Sequence, residues 1–195
     1  DDESAAALFI PNTYELYWNI DANDFVEKMT NEYNRFWNED RLRKAEELKL
    51  TPVEVSVLAS IVDKESNKVS EMPSIAGVYL NRLNKGWLLQ ADPTLVFALG
   101  DFEIKRVLDV HKKIESPYNT YKYVGLPPAP INVPPKACLD AVLNPDTHGY
   151  IYFCASSAFD GTHKFAVGYT EHMKNAREFQ KALTKRNKEK AKAAK

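Results

Sequence analysis

A chain of 195 residues, 44% of them hydrophobic, is long and apolar enough to bury a sizeable core, which excludes a disordered chain. Its formal net charge of -1 excludes the cationic excess on which sequence-independent nucleic-acid binding depends, so nucleic acid is not an expected partner. No apolar run approaches the ~18 residues a bilayer-spanning helix needs, and no signal peptide opens the chain, whose first residue is Asp1. A mature fragment or truncated chain is expected, with any membrane anchor outside it.

Residues 1–8 are expected to be disordered, and Phe9–Ile20 reads as an extended apolar-aromatic segment. A first helix is expected over Ala22–Trp37, capped by Asp21, with Phe25, Val26, Met29, Tyr33, Phe36 and Trp37 on one face. A short charged helix follows near Arg41–Leu48. Thr51-Pro52-Val53-Glu54 combines a capping box with Pro at the first helical position and opens a strongly apolar helix. A third long helix spans about Ser74–Lys85, with Gly86 at its left-handed end, and another begins at Asp92-Pro93 and stops at Gly100. The stretch Leu126–Lys136 is proline-rich and must be stiff and extended. After a short helix over Pro135–Leu143, Tyr150–Ala155 and His163–Val167 read as two strands joined by a turn at Asp160-Gly161. A last helix follows Thr170, with Met173, Ala176, Phe179 and Leu183 inward. The expected fold class is α+β, a mostly helical N-terminal part with a small antiparallel sheet and a C-terminal helix. The folded domain is assigned to residues 9–183 and a basic tail to 184–195. The last fifteen residues hold seven Lys or Arg and one Glu, read as a solvated, fraying helix end or as a contact for a polyanion.

Glu65 is the leading candidate for chemistry. It lies one turn beyond Ile61 and Val62 on the apolar stripe of its helix. Burial there disfavours the charged form and raises the pKa, and a carboxylic acid still protonated near neutrality can protonate a leaving group. The alternatives are a side chain that reaches out to solvent or pairs with Arg82. Asp63 points roughly the other way and reads as a solvated helix-surface acid. Asp92 is expected to cap its helix, with Gln90 in the approach loop. Tyr118, Asn119, Thr120 and Tyr121 place two phenols, an amide and a hydroxyl in one loop, the chemistry that stacks on and reads sugars; the alternative is a loop packed on the core. His163 opens a strand and is either structural or a supporting group. The four histidines have no metal-ligand spacing, and no P-loop, GxGxxG or GxSxG occurs, so no metal or cofactor is expected. Cys138 and Cys154 are expected as two buried thiols, with a disulfide as the alternative.

Several segments together resemble one family, the MltG/YceG endolytic murein transglycosylases. SVLASIVDKES, GVYLNRLNKGWLLQADPT, SPYNTYKYVGLPPAPI, the late strands YIYFCA and HKF, and LFIPNTYELY occur here in the family's order and spacing, over about residues 9–181. Ser66, Ala129, Val133 and Pro135 depart from the residues common in that family. The resemblance implies a catalytic domain at 9–183 that cuts peptidoglycan glycan strands internally, between N-acetylmuramic acid and N-acetylglucosamine, leaving 1,6-anhydro-muramic ends. It implies Glu65 as the acid/base, since the motif's other acid, commonly Glu, is Asp63 here. Gln90, Tyr118, Asn119, Thr120 and Tyr121 are then expected to hold glycan, with Arg82, Asp92 and His163 in support. It also implies a catalytic part on the outer face of the cytoplasmic membrane in the bacterial envelope, with cell-wall synthases as possible partners. Two rival readings are a pyridoxal-phosphate lyase, which would need a Schiff-base lysine, and a peptidoglycan-binding scaffold that consumes nothing.

Overall fold

The computed structural model describes residues 5–104 and 106–193. Its α-helices are α1 (Ala22–Phe36), α2 (Glu39–Glu47), α3 (Pro52–Glu65), α4 (Met72–Asn84), α5 (Asp92–Leu99), α6 (Lys136–Leu143) and α7 (Tyr169–Ala193), and its strands are β1 (Tyr152–Ala155) and β2 (His163–Ala166). The α+β expectation therefore holds.

The centre is α3. Thr51 and Glu54 form the reciprocal capping box, and Pro52 occupies the first turn. Every residue from Val55 to Val62 is buried, so the helix is enclosed on all sides rather than amphipathic. It packs on α2, α4, α5 and α6. Leu58, Ile61, Ile75, Leu89, Leu139 and Val142 interlock with no more than 1% exposure; each such side chain contributes about 1.5–3 kcal/mol through burial. The proline loop is bolted to this helix: the buried Ser60 hydroxyl donates to Val57 O (2.7 Å) and accepts from Ile131 N–H (3.0 Å). Gly77 allows α4 to meet the loop before β1. A Cβ there would lie 2.8 Å from both Asp146 O and His148 Nε2. Gly86 and Gly100 take the left-handed conformation after α4 and α5, as expected.

The two strands pair antiparallel, with Phe153 opposite Phe165 and Ala155 opposite His163. Their turn is closed by Asp160, whose carboxylate accepts from the Thr162 N–H (3.0 Å). α7 packs on both strands. Both cysteines are free thiols, Cys138 buried and Cys154 half-buried.

Three expectations need correction. Residues 5–8, expected to be disordered, form a 3-10 turn with Ala7 buried, because that turn packs on α1 and α3; residues 1–4 lie outside the described ones. The basic tail, expected as a solvated helix end, continues α7 as far as residue 193, is exposed through residue 192 and carries spaced charges such as Lys185–Glu189 (4.0 Å). Val26 is 51% exposed, because α1 buries only the narrower stripe through Met29 and Phe36. Asp63 is not solvated: its carboxylate accepts from Asn132 Nδ2 (2.6 Å), pairs with Lys64 (3.0 Å) and lies 3.8 Å from Cys138 Sγ. Burial and this carboxylate push the Cys138 thiol up to about 12, which keeps it protonated and unreactive.

Candidate active site

Glu65 is the last residue of α3, and the chain leaves the helix at Ser66 in an extended conformation. Its carboxylate is held by the buried Tyr79 of α4, whose hydroxyl donates to Oε1 at 2.6 Å. Tyr79 is fixed in turn by the edge of Phe153 (5.9 Å between centroids, 86°). Three separate elements, α3, α4 and β1, thus determine where one carboxyl group sits.

Burial is the main influence on Glu65 and raises its pKa above the ordinary glutamate value. The Tyr79 hydroxyl opposes that shift, Asp92 reinforces it, and His163 and Arg82 oppose it more weakly. The net direction is upward, which favours a protonated acid. Tyr79 is pushed well above the usual phenol range by burial and by Glu65, so it remains a donor.

Glu65 and Asp92 both line two cavities, which meet along them. The first, about 260 Å³, is polar: Tyr79, Arg82, Gln90, Tyr121 and His163 line it with Phe153–Ala155. The second, about 320 Å³, is mostly apolar and includes Val96, Phe97, Phe102, Val107 and Ile131. A cleft crossing a half-buried acid, polar on one side and apolar on the other, suits an extended amphipathic ligand.

The walls of the polar cavity are locked. Arg82 is buried; its Nε donates to Ile151 O (2.8 Å), its Nη1 to Leu89 O, and its guanidinium lies 5.9 Å from the centroids of both Tyr79 and Tyr152. It makes no ion pair with Glu65; Tyr79 takes the place that the sequence offered to Arg82. His163 lies against Glu71, which accepts from its N–H (2.8 Å) and approaches its Nδ1 (3.1 Å). Gln90 has a left-handed backbone (φ 51°), uncommon for a residue with a side chain, and its N–H donates to Thr120 O (3.0 Å).

The structure brings Glu65, Arg82, Gln90, Asp92, Tyr121 and His163 together, but not the rest of the aromatic loop. Asn119 is fully buried, and its amide donates to the carbonyls of Lys112 (3.0 Å) and Ile114 (2.8 Å). Thr120 is buried too, its hydroxyl accepting from Ala91 N–H (3.0 Å) and meeting Thr94 Oγ1 (2.9 Å). Tyr118 packs on Phe97 (4.7 Å between centroids) and on the core. These three residues shape the loop that presents Tyr121; they do not line either cavity. Asp92 also departs from expectation. It lies inside the first turn of α5 after the N-cap Ala91, and it accepts from the Tyr121 hydroxyl at 2.5 Å instead of capping the helix. Sequence reasoning missed Tyr79 and Glu71. The one available signal for Tyr79 was a phenol three residues before Arg82, on the same face of an apolar helix.

Comparison with known proteins agrees with the resemblance. A Bacillus subtilis (strain 168) protein named endolytic murein transglycosylase is 35% identical over 147 residues, 75% of this chain and 39% of the relative. A Streptococcus pneumoniae (serotype 2, strain D39) protein of the same name is 32% identical over 133 residues, 66% of this chain and 24% of the relative. The chain thus spans well under half the length of these relatives. The crystal structure of a YceG-like protein from Listeria monocytogenes superposes with a TM-score of 0.73 at 30% identity, covering 86% of this chain and 54% of that one. The model of the YceG-like family matches residues 2–178, nearly the whole chain, and the chain belongs to that family.

Proposed function

We propose that this chain is the catalytic domain of an endolytic peptidoglycan lytic transglycosylase with Glu65 as its acid/base. The observation that carries this reading is the placement of a half-buried carboxyl group, oriented by Tyr79, where two cavities meet. The names of the relatives supply the substrate, a murein strand. Protonated Glu65 donates to the glycosidic oxygen while the bond from muramic C1 breaks, its electron pair leaving with the glucosamine oxygen. The carboxylate so formed takes the proton of the muramic 6-hydroxyl as that oxygen bonds to C1, closing the 1,6-anhydro ring and restoring the acid. Gln90, Tyr121 and His163 face the sugars, while Arg82 holds the wall behind them. Such a substrate places the domain in the cell envelope, outside the cytoplasmic membrane and within reach of cell-wall synthases.

A second reading has a specific basis. Asp92 lines both cavities beside Glu65, and glycoside hydrolases use two carboxyl groups. In a hydrolase Asp92 would activate water. Its engagement by Tyr121 favours the one-acid route. Mass spectrometry of strands cut by the purified chain separates the two. The transglycosylase reading expects 1,6-anhydro-muramic ends, one water lighter than reducing ends. New reducing ends would instead assign a hydrolase, and intact strands that still bind the protein would assign a scaffold.

A further inference from the structure

We infer that the apolar cavity beside Glu65 binds the peptide-bearing side of the muramic acid residue, which fixes the direction in which a strand crosses the site. This rests on the transglycosylase reading above and adds to it a binding site and a polarity.

The two cavities differ in chemistry while sharing Glu65 and Asp92. The two sugars at the cut bond differ in the same way. Glucosamine presents hydroxyls and an acetamide. Muramic acid adds a lactyl ether and a peptide, which brings methyl groups, amides and free carboxylates. The polar cavity, with Gln90, Tyr121 and His163, suits the first.

The other cavity suits the second. Its apolar lining includes Phe97, Ile131 and, at its mouth, Phe102, which is 72% exposed. An aromatic ring left that far in water beside a catalytic cleft gains by being covered when ligand arrives. Arg106 lines the same cavity and, among the described residues, makes no ion pair. Its planar guanidinium matches a carboxylate in bidentate geometry. Lys64 adds a second positive charge at the rim, shared with Asp63. Apolar surface beside cations fits methyl groups beside carboxylates, and the cavity is continuous with the site through Glu65. A strand therefore runs from the apolar cavity, holding muramic acid, across Glu65 to glucosamine in the polar cavity.

The test uses two cleavage products as inhibitors, glucosaminyl-1,6-anhydro-muramic acid with and without its peptide. Either product ends at the anhydro sugar and so fills only the muramic side of the cut. The wild-type chain is expected to bind the peptide-bearing product about tenfold more tightly, equivalent to ~1.4 kcal/mol. In Arg106→Gln and Phe102→Ala that ratio should fall towards one. Both positions are exposed, so circular dichroism should show folded variants. Equal inhibition of the wild type by the two products, or a ratio unmoved in both variants, overturns the inference while leaving the catalytic reading intact. Absence of anhydro ends from wild-type digests would overturn the catalytic reading itself.

Discussion

Glu65→Gln is expected to fold normally and to cut glycan about 10²–10⁴-fold more slowly than the wild type. The replacement keeps shape and volume, and the Tyr79 hydroxyl, now 2.6 Å from a carboxylate oxygen, can donate equally well to an amide oxygen. What disappears is the group that, in the proposed mechanism, delivers a proton to the leaving oxygen and recovers one from the 6-hydroxyl. Stability should move in the opposite direction from activity. Burial raises the folded-state pKa of Glu65 above its unfolded value, so the unfolded chain gives up this proton first as pH rises. The fold therefore loses stability between the unfolded and folded pKa values and does not regain it above them. The Gln variant has no such loss. Its melting temperature should equal or exceed that of the wild type at neutral pH, and the difference should shrink in acid. Near-wild-type turnover in this variant would remove Glu65 from the mechanism; a collapsed fold would show that the carboxylate is structural.

Arg82→Met is expected to cost about 2–4 kcal/mol, the result of leaving buried carbonyls without a charged donor, and to lower the melting temperature by roughly 5–15 °C. Met keeps much of the apolar stem, so the loss reports the guanidinium. That group ties α4 to Leu89 O and Ile151 O, the segments leading into Gln90–Asp92 and into β1. Both walls of the polar cavity depend on it. Thermal and urea melts check the stability. Cleavage assayed well below the variant's melting temperature should fall as well, because Gln90 and Phe153 lose their anchorage. An Arg82→Met protein as stable as the wild type would show that these carbonyls find other partners and that the walls are held elsewhere.

The sequence is legible wherever the physics is local. The Thr51–Glu54 box, the Asp21 cap and the glycines ending α4 and α5 all depend on residues within a few positions of one another. The placement of Glu65 on an apolar helix was legible for the same reason. The partner that holds it was not, because Tyr79 reaches it only after α3 and α4 pack together. The aromatic loop shows the opposite failure. Asn119 and Thr120 have the composition of a sugar-reading loop, yet the loop has no strand partner. Its own backbone carbonyls, and the N–H of Ala91, consume those side chains. Polar residues that satisfy a buried loop and polar residues that face a ligand look alike in sequence. Asp92 fits a helix cap on paper and instead faces Tyr121, because the chain turns at Gln90 and starts α5 one residue earlier.

The proposed mechanism requires Glu65 to carry a proton when glycan binds. The most direct measurement is a carbon-13 NMR titration of glutamate side-chain carboxyls in the folded chain, with the Glu65 signal identified by its absence from Glu65→Gln. A midpoint above the ordinary glutamate range is expected, moving higher still in Tyr79→Phe, which removes the hydroxyl that stabilises the ionised form. The same midpoint should mark the alkaline limb of kcat/KM for strand cleavage. A Glu65 that titrates at or below an ordinary glutamate, with activity persisting far above that pH, would contradict the proposed mechanism.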